Sequence, residues 1–293
     1  MAPPLSIAIV GGGSIGSSIA LKLMTMGKHN VTIVARPGSM RLVQLQQDGI
    51  VTAQGDICRV PVVEALDATV PYDLVIVTTL AHQAESLLPL LKTSAATSIL
   101  FLFHIFNPER LLDIFGERAS FGLPFIQASN NEEGVLHATF SMKTPLGARR
   151  WVNLFNTSGI PAVYEPKMAL WLRCHTSFCI GLVATCVVAK RREAGATWQE
   201  ARTAALALHA TNTVIKSLGY PLYPSAKVVM DKLPTAFVAG FLWLFSRIKV
   251  SRNQLGKGKA AAECYTLVDS VVDVAQKAGL QSVIPVLHAV KTL

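Results

Sequence analysis

Residues 5–16, LSIAIVGGGSIG, decide the architecture. Residues 5–10 (LSIAIV) are a short, mostly apolar run with the composition of a buried strand, and it breaks off at Gly11, Gly13 and Gly16, spaced G-x-G-x-x-G. Ile15 to Met26 continues as an apolar helix stopped by Gly27, and Val31 to Ala35 reads as a second β-branched strand. Strand, glycine turn, helix and strand in about thirty residues give this spacing a physical meaning. Gly11 allows the tight turn, Gly13 lets the backbone approach a pyrophosphate, and Gly16 lets helix and strand lie close. The free N–H groups at the helix start, at Ser14 and Ile15, would then face an anion, which the helix dipole also favours. The expectation is a dinucleotide-binding Rossmann domain. The alternative is the same turn in a domain that has lost its ligand.

The end of the second strand selects the cofactor. Dinucleotide sites that take NAD place an acidic residue there for the ribose 2′-hydroxyl. This chain has Arg36 with no acidic neighbour, which suits the 2′-phosphate of NADP(H) through charge-assisted hydrogen bonds. The competing reading is an exposed loop arginine.

Outward from this unit the alternation continues. Residues 49–53 and 57–63 read as a hairpin. Residues 73–79, 98–103, 119–126 and 135–140 read as strands, with helices at 82–91 and 108–115. That order predicts an α/β fold, a doubly wound parallel sheet, whose ligands lie at the carboxyl ends of the strands. Thr79 to Gln83 and His104 to Asn107 are therefore expected to border the nicotinamide. From about Pro166 the pattern becomes helical, at 167–191, 197–218, 225–233, 235–249, 259–278 and 284–290. Two domains are expected: 1–166 binding NADP(H), and 167–293 helical, for substrate binding and dimerisation.

Composition narrows the class. The chain has 293 residues, 51% hydrophobic and 15% charged, ample for buried cores. The start lacks the basic region of a signal peptide. Five cysteines without a C-x-x-C spacing suit a reduced, cytoplasmic protein, and no metal site is expected. The excess of 27 Lys+Arg over 18 Asp+Glu raises nucleic acid as a partner, but no recognition motif accompanies it. Lys190 to Arg192, and Arg247, Lys249, Arg252, Lys257 and Lys259, read mostly as solvated faces. Two apolar runs, 174–189 and 236–245, fall short of the ~20 apolar residues of a spanning helix, so no transmembrane segment is expected. The second is apolar all round, suited to a greasy pocket, a dimer interface or a membrane surface.

Helical spacing picks out candidates for chemistry. Arg173, Ser177 and Gly181 share one face, polar and small on an apolar helix, as at a cleft. Glu263 heads an apolar stripe with Leu267 and Val271, so its carboxylate points inward and needs a partner. A structural ion pair between Arg173 and Glu263 remains an equal alternative.

These residues resemble the ketopantoate reductase (2-dehydropantoate 2-reductase) family over essentially the whole chain. The resemblance rests on Gly11, Gly13 and Gly16, on 31–36, on 169–173 (ALWLR), and on Ser251, Glu263 and Gly279 at the family's spacing. It implies a Rossmann domain, then an all-helical domain, with the active site in the cleft between them. It also implies a 2′-phosphate role for Arg36, substrate binding for Ser251 and the family glutamate at Glu263. Departures are equally specific. The catalytic lysine falls on Arg173, two asparagines on Ser177 and Gly181, the Asn-Gly-x-Gly segment on 104–107 (HIFN), and a cofactor-side lysine on Leu80. Arginine holds its proton and is a poor acid, though it can bind an oxyanion or carboxylate. The unperturbed pKa of a histidine is near ~6.5, so His104 could be the acid instead, or a structural histidine. Turnover of ketopantoate itself is not expected.

The leading expectation is a divergent, NADPH-dependent oxidoreductase, a homodimer reducing a carbonyl or imine of a larger, apolar small molecule in a specialised biosynthetic pathway. Arg173, Glu263 and His104 are its expected catalytic residues, Ser177 and Ser251 its substrate contacts. A redox-neutral cyclase or isomerase and a non-catalytic NADP(H)-binding protein are the alternatives.

Overall fold

The computed structural model describes residues 3–256 and 258–293, without the side chains of 258 and 259. Met1, Ala2, Lys257 and the Lys259 side chain, which the readings above include, lie outside the described residues. The chain forms two units: residues up to Phe103 with Glu109–Met168, and His104–Pro108 with Ala169–Leu293.

The first unit opens with β1 (Ser6–Val10), α1 (Ser14–Thr25), β2 (Asn30–Val34) and α2 (Met40–Asp48). Then come β3 (Ile50–Val51), β4 (Ile57–Cys58), β5 (Val62–Val63), β6 (Leu74–Val77), α3 (Ala81–Ala84), α4 (Leu88–Thr93), β7 (Ile99–Leu102), α5 (Glu109–Phe115) and β8 (Ala119–Gly122). It closes with β9 (Gln127–Asn130), β10 (Leu136–Thr139), β11 (Thr144–Leu146), α6 (Arg149–Thr157) and β12 (Ala162–Tyr164). Eight strands form one sheet in the order β12-β11-β8-β7-β6-β1-β2-β5. Every pairing in it is parallel except β11 with β8. Because helices cover both faces, β6 and β7 are buried along their whole length, which their unbroken apolar runs LVIV and ILFL require. The strand order reverses between β1 and β6, where the glycine turn leaves the sheet.

Three details differ from the expectation. The hairpin is confined to β3 and β4, while Val62 and Val63 join the main sheet parallel to β2. Residues 135–140 pair antiparallel with β9 in a separate two-stranded sheet. The helix expected over 82–91 is broken into α3, a short 3-10 turn and α4, which begins with Pro89 in its first turn.

The second unit contains α7 (Met168–Arg191), α8 (Trp198–Ser217), α9 (Ser225–Lys232), α10 (Thr235–Phe245), α11 (Lys249–Leu255), α12 (Gly258–Lys277) and α13 (Ile284–His288). Thr197 and Glu200 cap α8 reciprocally. Buried Ala201, Ala204, Ala205 and Ala207 give α8 a slim face on which Val238 and Leu242 of α10 pack. The single helix expected over 235–249 ends at Phe245. The next residue, Ser246, turns its hydroxyl inward to accept the Ala196 N–H at 2.9 Å. Residues of α10 that face away from α8 stay exposed, Phe237 at 69% and Leu244 at 61%. Among the described residues one helix, Met168–Arg191, is long and apolar enough to cross a membrane, and 78% of its apolar window is buried inside the fold, as in a core helix. The basic clusters are partly engaged: Lys190 pairs with Glu193, Arg192 with Glu200, and Arg247 lies over the Trp243 ring.

Candidate nucleotide cavity and histidine cluster

The first unit holds a cavity of about 600 Å³ at the carboxyl ends of β1 and β2. Gly11, Gly12, Gly13, Arg36, Arg41, Glu64 and Thr79 are among its lining. The three fingerprint glycines have separable tasks. Gly11 has φ +115°, a backbone conformation that L side chains avoid. A Cβ on Gly16 would lie 2.0 Å from the Gly11 carbonyl oxygen, so only glycine lets α1 pack against the turn. A Cβ on Gly13, the N-cap residue just before α1, would meet nothing within 4 Å, because it would project into open space. That leaves room at the turn for a ligand to approach the backbone of Gly13.

Polar groups around the cavity fit a dinucleotide. Thr79 Oγ1 is buried without a hydrogen-bond partner among the described residues. Arg36 is exposed and its side chain makes no hydrogen bond or ion pair among the described residues, so the guanidinium is available at the rim. Arg41 is committed to the protein. Its Nε donates to Gly12 O at 2.8 Å and its Nη2 to Ser17 Oγ at 2.8 Å, while Nη1 reaches Gln44 and Gly134 O. Arg41 thus stiffens the glycine turn, a role that sequence reading did not find. Glu64 follows β5, whose register with β2 brings this carboxylate to the same end of the sheet as Arg36.

The second unit brings together a chain of titratable side chains. His104 Nδ1 faces Glu263 Oε1 at 3.0 Å, and His104 Nε2 faces Cys179 Sγ at 3.1 Å. Burial works against protonation of His104, but Cys179 and Glu263 outweigh it and push its pKa up to about 10. Burial likewise disfavours the Glu263 carboxylate, yet its bonds to His104 hold its pKa below the usual value. The His175 ring stacks on Trp171 at 4.4 Å and beside His104 at 5.4 Å. Burial, with Lys227 and His104 nearby, keeps His175 neutral well below its ordinary pKa. Lys227 Nζ donates to Cys174 O at 2.8 Å and meets His175 Nδ1 at 3.3 Å. Burial pushes Lys227 down to about 8, against the opposing pull of Cys179 and Cys174.

The expected catalytic residues therefore fall into two groups. Glu263 and His104 are in direct contact. Arg173 is 2% exposed, its guanidinium 3.8 Å from the Tyr220 ring centroid, with Nη2 donating to Asn107 Oδ1 at 3.3 Å. No ion pair between Arg173 and Glu263 is found among the described residues. Ser177, expected at a cleft, is 2% exposed and donates to Cys174 O of its own helix at 3.0 Å, because a buried hydroxyl must bond locally. Ser251 is partly buried on α11. The opposite face of α7, with His175 and Cys179 four apart and each two residues on from Arg173 and Ser177, carries the polar chemistry instead. Donor atoms of His104, His175 and Cys179 lie within 4.8 Å of one another, a spacing a metal ion could use and one the sequence reading did not anticipate.

Comparison with known proteins follows the same division. The family model for ketopantoate reductase PanE/ApbA matches residues 7–151. No curated protein matches the chain. Among solved structures, a D-mandelate dehydrogenase with NADH and anilino(oxo)acetate superposes with TM-score 0.73 at 17% identity, over 98% of both chains. A PanE/ApbA family ketopantoate reductase from Ralstonia eutropha JMP134 gives 0.71 at 14% identity, over 98% of this chain and 96% of that one. A dimeric ketopantoate reductase from Staphylococcus aureus gives 0.68 at 14%, over 98% and 99%. At these identities the likeness is one of fold: a Rossmann-type sheet followed by helices. Residues 7–151 of this chain belong to the ketopantoate reductase PanE/ApbA family.

Proposed function

We propose that the protein is an NADPH-dependent oxidoreductase that reduces a carbonyl or imine of an apolar small molecule larger than ketopantoate, as in a specialised biosynthetic pathway. The observation that carries this reading is the cavity at the glycine turn. Gly13 opens onto free space there, Thr79 Oγ1 is unsatisfied and Arg36 stands at the rim. Gly11, Gly13, Ser14, Ile15 and Gly16 would hold the pyrophosphate, and Arg36 the 2′-phosphate. When bound, NADPH supplies a hydride. His104 would give a proton to the carbonyl oxygen or imine nitrogen of the substrate, where negative charge develops on reduction of the adjacent carbon. Glu263 fixes the His104 ring through Nδ1 and leaves Nε2 to donate. Arg173 acts as a positioning residue, since its bond to Asn107 ties down the segment that carries His104. Ser251 offers the substrate a hydroxyl. The five free cysteines agree with a cytoplasmic protein, and a homodimer is the expected assembly by analogy with the dimeric relative.

The test is direct. NADPH fluorescence titration should give saturable binding. Absorbance of NADPH should fall with a suitable member of a panel of apolar 2-oxo acids, ketones and imines, and Glu263→Gln should slow turnover about a hundredfold. Absence of any association with NADPH or NADP would overturn the redox assignment. Binding without turnover across the panel would favour the redox-neutral or non-catalytic readings. The redox-neutral reading has one observation of its own, the contact of Cys179 with His104.

A further inference from the structure

We propose that Cys179, His104 and Glu263 form a nucleophilic thiol site that adds reversibly to an apolar α,β-unsaturated carbonyl compound. The three side chains stand in the order that activates a thiol: nucleophile, base and a carboxylate that orients the base. Sγ is 3.1 Å from His104 Nε2, and Nδ1 of the same ring is 3.0 Å from Glu263 Oε1. Cys179 is partly exposed, whereas Cys174, Cys186 and Cys264 are buried.

Two features choose the chemistry. A metal ion shared by His104, His175 and Cys179 is disfavoured by the Lys227 amine at 3.3 Å from His175 Nδ1. The two imidazole planes, only 8° apart with centroids 5.4 Å apart, also lie nearly parallel rather than converging on one point. Acyl transfer through a tetrahedral intermediate needs amide donors for its oxyanion beside the sulfur, but Cys179 lies within α7, whose N–H groups are used along the helix. In conjugate addition the charge develops on a carbonyl oxygen several bonds from the sulfur, where the Lys227 ammonium can offset it. Apolar rings continue outward from His175, with Phe178 at 6.2 Å from it, Phe178 and Phe241 at 6.4 Å and Phe241 and Phe245 at 5.9 Å, a shelf for a flat unsaturated ligand.

The step balances without an oxidant. His104 Nε2 holds the thiol proton while the sulfur forms a bond to the β-carbon. The C=C electron pair moves toward the carbonyl as an enolate. His104 returns the proton to the α-carbon, and the reverse sequence expels the ligand. No nicotinamide takes part, so this proposal and the hydride-transfer reading fail separately.

The experiment uses the full chain without cofactor, N-ethylmaleimide as the conjugate electrophile, and intact-mass and peptide mass spectrometry. Cys179 should be modified first, about tenfold or more faster than Cys58, the other partly exposed thiol, whose pKa burial pushes up. Cys179→Ser should abolish the fast phase and Cys58→Ser should leave it unchanged. Glu263→Gln and His104→Gln should each slow it about tenfold or more while the far-ultraviolet circular dichroism stays native. Benzylideneacetone, an apolar enone, should protect Cys179 reversibly. The proposal is overturned if Cys179 reacts no faster than Cys58, or if the folded Glu263→Gln protein reacts at the wild-type rate. It also fails if benzylideneacetone gives no protection, or if Cys179 becomes reactive only after a chelator strips a stoichiometric metal.

Discussion

Two glycines three residues apart should respond in opposite ways to the addition of one methyl group. At Gly16 the new Cβ would sit 2.0 Å from Gly11 O and 2.8 Å from Thr78 Oγ1. Both belong to the turn and to the strand end beside it, so α1 must move by more than an ångström. Overpacking of this kind costs about 3 kcal/mol. For a unit of this size that lowers the melting temperature by roughly 6–12 °C. At Gly13 the Cβ meets no atom within 4 Å, and φ is −68°, which alanine adopts freely. The entropy that alanine removes from the unfolded chain, about 0.4–1 kcal/mol, is set against its poorer standing at a helix start. Gly13→Ala should therefore melt within about 2 °C of the wild type. Its methyl would nevertheless occupy the space assigned to the pyrophosphate, and NADPH affinity should drop about a hundredfold, close to 2.7 kcal/mol. Calorimetry and NADPH fluorescence titration on the same preparations read both quantities. A Gly13→Ala protein that melts normally and binds NADPH with an unchanged Kd would refute the placement of the phosphates.

Further outcomes follow from the same geometry. Arg36→Glu should weaken NADPH far more than NADH, since only the former carries the 2′-phosphate. An unchanged ratio of the two dissociation constants would remove Arg36 from the site. Stability should peak near pH 6.5. Below that pH the neutral, buried His175 opposes folding. Above it the raised pKa of His104 makes the folded state bind an extra proton, so stability falls by about 2 kcal/mol up to pH 8. Between pH 8 and 10 the lowered pKa of Lys227 has the opposite sign, so the curve should flatten. Urea titrations at intervals of half a pH unit check this, and His104→Gln should erase the fall between pH 6.5 and 8. Arg173→Ala should cost roughly 3 kcal/mol through the lost contact with Tyr220 and the lost packing, whatever its effect on turnover.

The glycine turn was legible because its signal is local: strand, spacing and helix all lie within residues 5–35. The helices of the second unit were legible from long apolar runs, except where tertiary structure intervened. The break after Phe245 carries no glycine or proline, and what ends the helix is a buried serine tied to Ala196, fifty residues away. Helix α2 escaped notice because only Leu42 and Leu45 point inward from an otherwise polar segment. Helix α6 did have a signal, with Trp151, Leu154 and Phe155 spaced along one buried face. The same distinction governs the cluster. His104 and Glu263 stood out individually, but their contact spans 159 residues, and Lys227 reaches His175 across 52. The pair His175 and Cys179 was visible as an i, i+4 neighbourhood. The polar look of Arg173 and Ser177 drew attention to the opposite face, yet burial turned that serine back onto its own backbone.

The segment His104–Pro108 belongs to the second unit although both of its flanks belong to the first. Phe106, 1% exposed, is part of the apolar core of the helices. No single cut can therefore separate the chain into two self-sufficient halves. A fragment starting at Ala169 would fold around a missing aromatic plug and without its imidazole, and the complementary fragment would carry that plug idle in water. During synthesis the loop must also wait for most of the remaining chain before its carboxylate partner exists. Dissection of this protein calls for a five-residue peptide supplied in trans or a rearranged chain order, and simple truncations should be expected to aggregate.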